Sequence, residues 1–170
     1  SVSNVTVGSF PTSIVALGTK VYVASSDNNI HVIDTANNNS VSTVDSGLSS
    51  GILAVIGSKV YVISGDVAVI DTSNSNSVST ITLGTETKAV TTLGSKLYIA
   101  NNGTTVSVID TSNSNSISSV TVGLSENTGP SITTLRSKVY VTSNSADSVS
   151  IIDTENSNSV TTVTIGDRPK

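Results

Sequence analysis

Short apolar runs alternate with polar turn clusters from one end of the chain to the other. Residues 87–123 show the pattern well, as AVTTL (89–93), KLYIA (96–100), VSVID (106–110) and SISSVTV (116–122). Val, Ile, Thr and Tyr dominate these runs, and such side chains suit a pleated, half-covered surface. Leu-Gly-Ser, Asn-Asn-Gly and Asn-Ser-Asn-Ser separate the runs, and all are turn formers. No segment carries a 3.6-residue apolar period of useful length. The pattern therefore predicts short β-strands joined by tight turns.

The order of the runs repeats. IDTSNSNSVSTITLG at 70–84 recurs as IDTSNSNSISSVTVG at 109–123, with fainter copies from Ile33 and Ile152. The repeat aspartates Asp34, Asp71, Asp110 and Asp153 lie 37, 39 and 43 residues apart. A second anchor keeps step with them: Lys20-Val21-Tyr22, Lys59-Val60-Tyr61, Lys96-Leu97-Tyr98 and Lys138-Val139-Tyr140. Four strands in a unit of roughly 40 residues is the signature of a propeller blade. Solenoid coils are shorter, and a sandwich does not repeat its own sequence. The predicted fold is all-β, a β-propeller of four-stranded antiparallel blades. Inner strands should be apolar on both faces, as in Tyr98-Ile99-Ala100, because neighbouring blades cover both. The fourth strand should alternate, as in Val120-Thr121-Val122, because it lies at the rim.

The chain also opens in mid-phrase. Residues 1–12, SVSNVTVGSFPT, align with residues 159–170, SVTTVTIGDRPK. The expected organisation is a single propeller or propeller segment over 1–170. A surplus outer strand occupies 1–8, followed by blades at about 9–46, 47–83, 84–122 and 123–166. Three accounts of the surplus strand stay open. The chain is a window on a longer array, it exchanges the strand with a neighbouring subunit, or a four-bladed ring keeps a loose or doubled edge. An open strand edge is a template for another chain. Self-association into a filament or ring is therefore expected, by addition of a strand along that edge.

The phrase K-V-Y-V-x-(N/S), then V-S-V-I-D-T, then N-S-V-x-x-V-x-V-G-x-x-P resembles the YVTN-type β-propeller repeat. The resemblance covers the whole chain. Tyr22-Val23-Ala24-Ser25 and Tyr98-Ile99-Ala100-Asn101 occupy the motif that names the family, and G-x-x-P appears at Gly8–Pro11 and Gly166–Pro169. Two features depart from it: Asp45 stands where an apolar residue is usual, and four repeats replace the family's usual seven or so. The resemblance implies an extracellular or cell-surface protein, since such repeats are common in surface-layer proteins.

Charge and composition narrow the function. The chain has 8 basic and 12 acidic residues, a net charge of −4 and 12% charged residues. Nucleic acid needs clustered Lys and Arg, so it is not an expected partner. No apolar run is long enough to span a bilayer, and no membrane insertion is expected. There is no Cys, which excludes disulfides, thiolate metal sites and cysteine nucleophiles. There is no Met either, even at position 1, which suggests a processed or partial product. A chain without Cys or Met lacks the most easily oxidised sulfur side chains.

Several residues invite a chemical role. Asp34, Asp71, Asp110 and Asp153 each close a third strand, where a short carboxylate accepts backbone N–H bonds in an Asx-type turn. They are read as structural turn residues, with no metal. The tyrosines are expected to pack between blades, and the preceding lysines to be solvated turn residues. Asp27, Asp66 and Asp147, with Asn102 in the third unit, fall between second and third strands and are expected to be solvated loop residues. Calcium would need six to eight converging oxygens, and these are spread one per blade. His31 is the single histidine and is expected to face solvent or pack loosely. With no G-x-S-x-G elbow or phosphate loop, no catalytic residue and no cofactor are expected.

Three sequons, at Asn4, Asn38 and Asn102, mark candidate glycosylation sites. The longest blade connection contains Leu124, Ser125, Glu126, Asn127 and Thr128, a candidate binding loop for a glycan or protein. The sequence therefore points to a non-enzymatic extracellular structural protein, a rigid unit of a surface layer, sheath or filament. The competing expectation is a recognition module that works through its loops.

Overall fold

The computed structural model describes residues 4–49, 51–123, 129–143 and 146–166. The described residues form sixteen strands in four antiparallel sheets, with no helix and hence no helix able to cross a membrane. The chain divides into two compact units, residues 1–84 and 85–170.

The first unit holds two blades. Blade 1 is β1 (Pro11–Leu17), β2 (Lys20–Ser25), β3 (Asn29–Asp34) and β4 (Ser40–Asp45), paired in chain order. Blade 2 is β5 (Ile52–Ile56), β6 (Lys59–Ser64), β7 (Asp66–Asp71) and β8 (Ser77–Ile81). The second unit repeats this design. Blade 3 is β9 (Thr87–Leu93), β10 (Lys96–Asn101), β11 (Thr105–Asp110) and β12 (Ser116–Thr121). Blade 4 is β13 (Ile132–Leu135), β14 (Lys138–Ser143), β15 (Ser148–Asp153) and β16 (Ser159–Thr164).

Successive side chains of a strand point to opposite faces. The two middle strands of each blade therefore give it a tyrosine face and an opposite face. In the first unit the tyrosine face of blade 1 (Tyr22, Ala24, Ile30, Val32) packs on the opposite face of blade 2 (Val60, Val62, Ala68, Ile70). In the second unit the tyrosine face of blade 3 (Tyr98, Ala100, Val106, Val108) packs on the opposite face of blade 4 (Val139, Val141, Ile152). One packing rule, tyrosine face on opposite face, thus builds both cores. Burial and the nearby carboxylates Asp34 and Asp110 push the Tyr22 and Tyr98 phenols up.

The hairpins between third and fourth strands share a five-residue turn. Asn37 donates its N–H to the Asp34 carbonyl, and Ser40 to that of Asn37. The two residues before β4 are Asn38 and Asn39, at φ of 49° and 57°. Asn tolerates this left-handed region, and the turn chemistry follows from that. Blades 2, 3 and 4 use Ser75-Asn76, Ser114-Asn115 and Ser157-Asn158 in the same conformation.

The fourth strands are more open than simple alternation predicts. Most of their side chains are exposed, and each strand turns few apolar side chains inward, such as Val44, Ile81 and Val120. Residues 4–7 belong to no ladder. Among the described residues, each third strand already pairs with its own fourth strand.

Candidate functional site

The base of every blade is built the same way. Asp34, Asp71, Asp110 and Asp153 accept the N–H of the residue two places on, Ala36, Ser73, Ser112 and Glu155, at 3.0 to 3.2 Å. The threonine that follows each aspartate donates its hydroxyl to the carbonyl of Thr19, Ser58, Ser95 or Ser137, at 2.7 Å in all four. Each Asp-Thr pair thereby closes its own turn and ties it to the turn before the second strand. The lysines are not simple solvated turn residues. Lys20, Lys59, Lys96 and Lys138 each open a second strand and stand opposite the repeat aspartate in the ladder. Lys96 and Asp110 form an ion pair at 3.6 Å, and Lys138 bonds Asp153. The Lys138 hydrogen bond comes first in holding the Asp153 carboxyl below its ordinary range, and raises Lys138 in turn.

The acids expected in solvated loops are tied down. Asp66 opens β7 and its Oδ1 accepts two backbone N–H groups, from Leu83 at 2.8 Å and Gly84 at 3.0 Å. These two bonds, Gly84 first, hold its carboxyl low. Asp27 sits in the loop before β3, accepts the Asn29 N–H and bonds His31 Nε2 at 3.0 Å. Burial pushes the Asp27 carboxyl up, but the Asn29 and His31 bonds outweigh it and the net shift is downward. His31 itself is buried, so of the two expected arrangements, a solvent-facing or a loosely packed ring, the solvent-facing one does not occur. The reason is Gly8, which packs so closely on Asp27 and His31 that a Cβ there would overlap both. Ser9 fastens this segment by accepting the Ser26 N–H and hydroxyl at 3.0 and 2.9 Å. Asn101 fills the comparable end of β10, bonding Ser107 Oγ at 2.8 Å. Among the described residues no three His, Asp or Glu side chains are grouped to hold a metal ion.

All three sequon asparagines, Asn4, Asn38 and Asn102, are exposed, and the Asn102 amide donates to Glu86 at 3.0 Å. The candidate binding loop at Leu124–Thr128 lies outside the described residues.

The most unusual surfaces are the opposite face of blade 1 and the tyrosine face of blade 4, each within its own unit. Leu53, on the opposite face of blade 2, is 6% exposed, whereas Ile14 holds the same register position in blade 1 and is 66% exposed. Leu17 and Leu93, on tyrosine faces, pack into cores, whereas their counterpart Leu135 in blade 4 is 61% exposed. Val120 and Val122 lie in the core between blades 3 and 4, whereas Val163 and Ile165, the matching residues after blade 4's third strand, are 46% and 52% exposed. Tyr140 is only half-buried where Tyr22, Tyr61 and Tyr98 are fully buried. Beside it runs an apolar groove of about 320 Å³ lined by Ile132, Thr133, Thr142 and Val149. These positions were not singled out from sequence, since a repeat spells them alike wherever it stands.

No family model and no curated protein sequence matches the chain. Solved structures do match in shape. Apo AztD from Citrobacter koseri superposes with a TM-score of 0.71 at 17% identity, over 94% of this chain and 48% of that one. Virginiamycin B lyase from Staphylococcus aureus gives 0.73 at 15% identity, over 92% and 56%. U3-55K gives 0.72 at 13% identity, over 89% and 51%. This likeness, to β-propeller-like proteins, shows the fold. The chain spans about half the length of the structures it matches.

Proposed function

We propose that the chain is a non-enzymatic structural unit of an extracellular layer, sheath or filament, assembled through its first and last blades. The observation that carries this reading is the exposure of Ile14 and Leu135 at positions whose counterparts lie in blade-to-blade cores. Large apolar side chains left exposed at positions that are core-forming in other blades support an interaction site on each face. Covering an Ile or Leu side chain contributes about 1.5–3 kcal/mol. The remaining features suit a durable scaffold. Hydrogen-bonded Asp-Thr turns repeat in every blade, and sulfur is absent. Exposed Asn4 and Asn38 leave room for glycans, which fits a secreted protein.

The test is the solution mass of the chain measured by light scattering over a wide concentration range. Multiples of the 17.2 kDa chain should appear as concentration rises. A single-chain mass at every concentration overturns the reading.

A further inference from the structure

Resting on the reading just given, the geometry points to a defined joint. The tyrosine face of blade 4 in one copy docks on the opposite face of blade 1 in a second copy, at the place where residues 4–8 now lie.

The occupant follows from the molecule's own packing. Among the described residues of both units, a tyrosine face packs on the opposite face of another blade. Blade 4 presents a tyrosine face with Tyr140 half-covered and Leu135 exposed. Blade 1 presents an opposite face with Ile14 exposed. The two free faces are therefore complementary halves of a contact that the chain makes twice internally. A contact between two different patches is heterologous, so it closes a ring or extends a filament.

Residues 4–8 mark where the incoming blade sits. In the second unit, Val120 and Val122 at the end of blade 3 pack on blade 4, and Gly123 then donates its N–H to Ser150 Oγ at 3.2 Å. In the repeat, Val5, Val7 and Gly8 match Val120, Val122 and Gly123, and His31 matches Ser150. Gly8 lies on His31 as Gly123 lies on Ser150, and Val5 and Val7 are half-buried between exposed Asn4 and Thr6. The segment thus occupies, on blade 1, the site of a preceding blade's outer edge. A second copy docking by the same rule brings Val163, Ile165 and Gly166 to that site. The two cannot be there together, so residues 4–8 must lift away.

The experiment compares sedimentation of the full chain, a chain lacking residues 1–8, and Gly8→Val, whose side chain cannot fit over Asp27 and His31. Truncation and Gly8→Val should each tighten self-association about tenfold or more. Adding a peptide of residues 1–10 in excess should return the truncated chain to full-chain behaviour. Circular dichroism checks that each variant folds, and Gly8→Val keeps every residue if the truncated chain does not. Association that is unchanged or lost in the variants, while the full chain still associates, overturns this joint and leaves the structural reading standing. If no form associates, the structural reading falls with it.

Discussion

Asp66 shows how a single carboxylate can anchor a blade. Its Oδ1 holds two N–H groups at the exit of the fourth strand, where the chain leaves for the next unit. Asp66→Ala removes the acceptor and should lower the melting temperature by about 2–4 °C. Asp66→Asn keeps an acceptor at that position and should lose less. Equal losses in the two variants, read by calorimetry, would show that charge and not acceptance matters there. Asp66, Asp71, Asp110 and Asp153 all titrate below the ordinary 3.8 in the folded chain. The folded state therefore favours their ionised forms, and this contribution is complete above the ordinary value. It is lost as pH falls through the lowered folded values. The urea midpoint should stay level from about pH 7 to 5 and drop below about pH 4. A midpoint that holds steady to about pH 3 would falsify this account.

Whether a strand is covered decides what its side chains contribute. Tyr98 and Tyr140 occupy the same place on second strands, yet one is buried in a core and the other borders an open groove. Tyr98→Ala should cost about 3–5 kcal/mol, as large-to-small core changes do. Tyr140→Ala should cost less than half as much in dilute solution, where the chain is single. Chemical denaturation at low concentration measures both, and similar losses would mean that the groove is closed in solution. Much of this architecture was legible in the sequence. The period gave four blades, β-branched runs gave the strands, and Asp with Ser-Asn gave the turns. The Lys–Asp ladder pairs could also have been read, since 14, 12, 14 and 15 residues separate Lys20, Lys59, Lys96 and Lys138 from their aspartates. Such near-constant spacing is what a hairpin's opposed ends require. Tyr140 and Ile14 were not legible as open positions. Their local sequence matches that of buried counterparts, and coverage is a property of neighbours, not of the strand. The burial of His31 depended likewise on Gly8, more than twenty residues away in the chain.

At the scale of the whole molecule, the exposed apolar faces make a prediction about symmetry. Ile14→Asp spoils the open face of blade 1, and Leu135→Asp spoils that of blade 4. Neither residue lies in an internal core, so each variant should melt close to the parent chain. Each should weaken self-association about tenfold to a hundredfold, because an aspartate cannot be buried there unpaired. Mixing the two variants is the decisive step. In a heterologous contact each variant keeps one sound face, and the two sound faces are complementary. A one-to-one mixture should then form pairs that neither variant forms alone, and those pairs should not grow further, because their outer faces are both spoiled. An isologous contact through the Tyr140 faces predicts something else: Ile14→Asp would associate like the parent chain, and mixing would rescue nothing. Light scattering on the two variants and their mixture separates these cases. Pairs in the mixture alone mean that blade-on-blade packing, which forms the core of each unit, also sets how one chain meets the next.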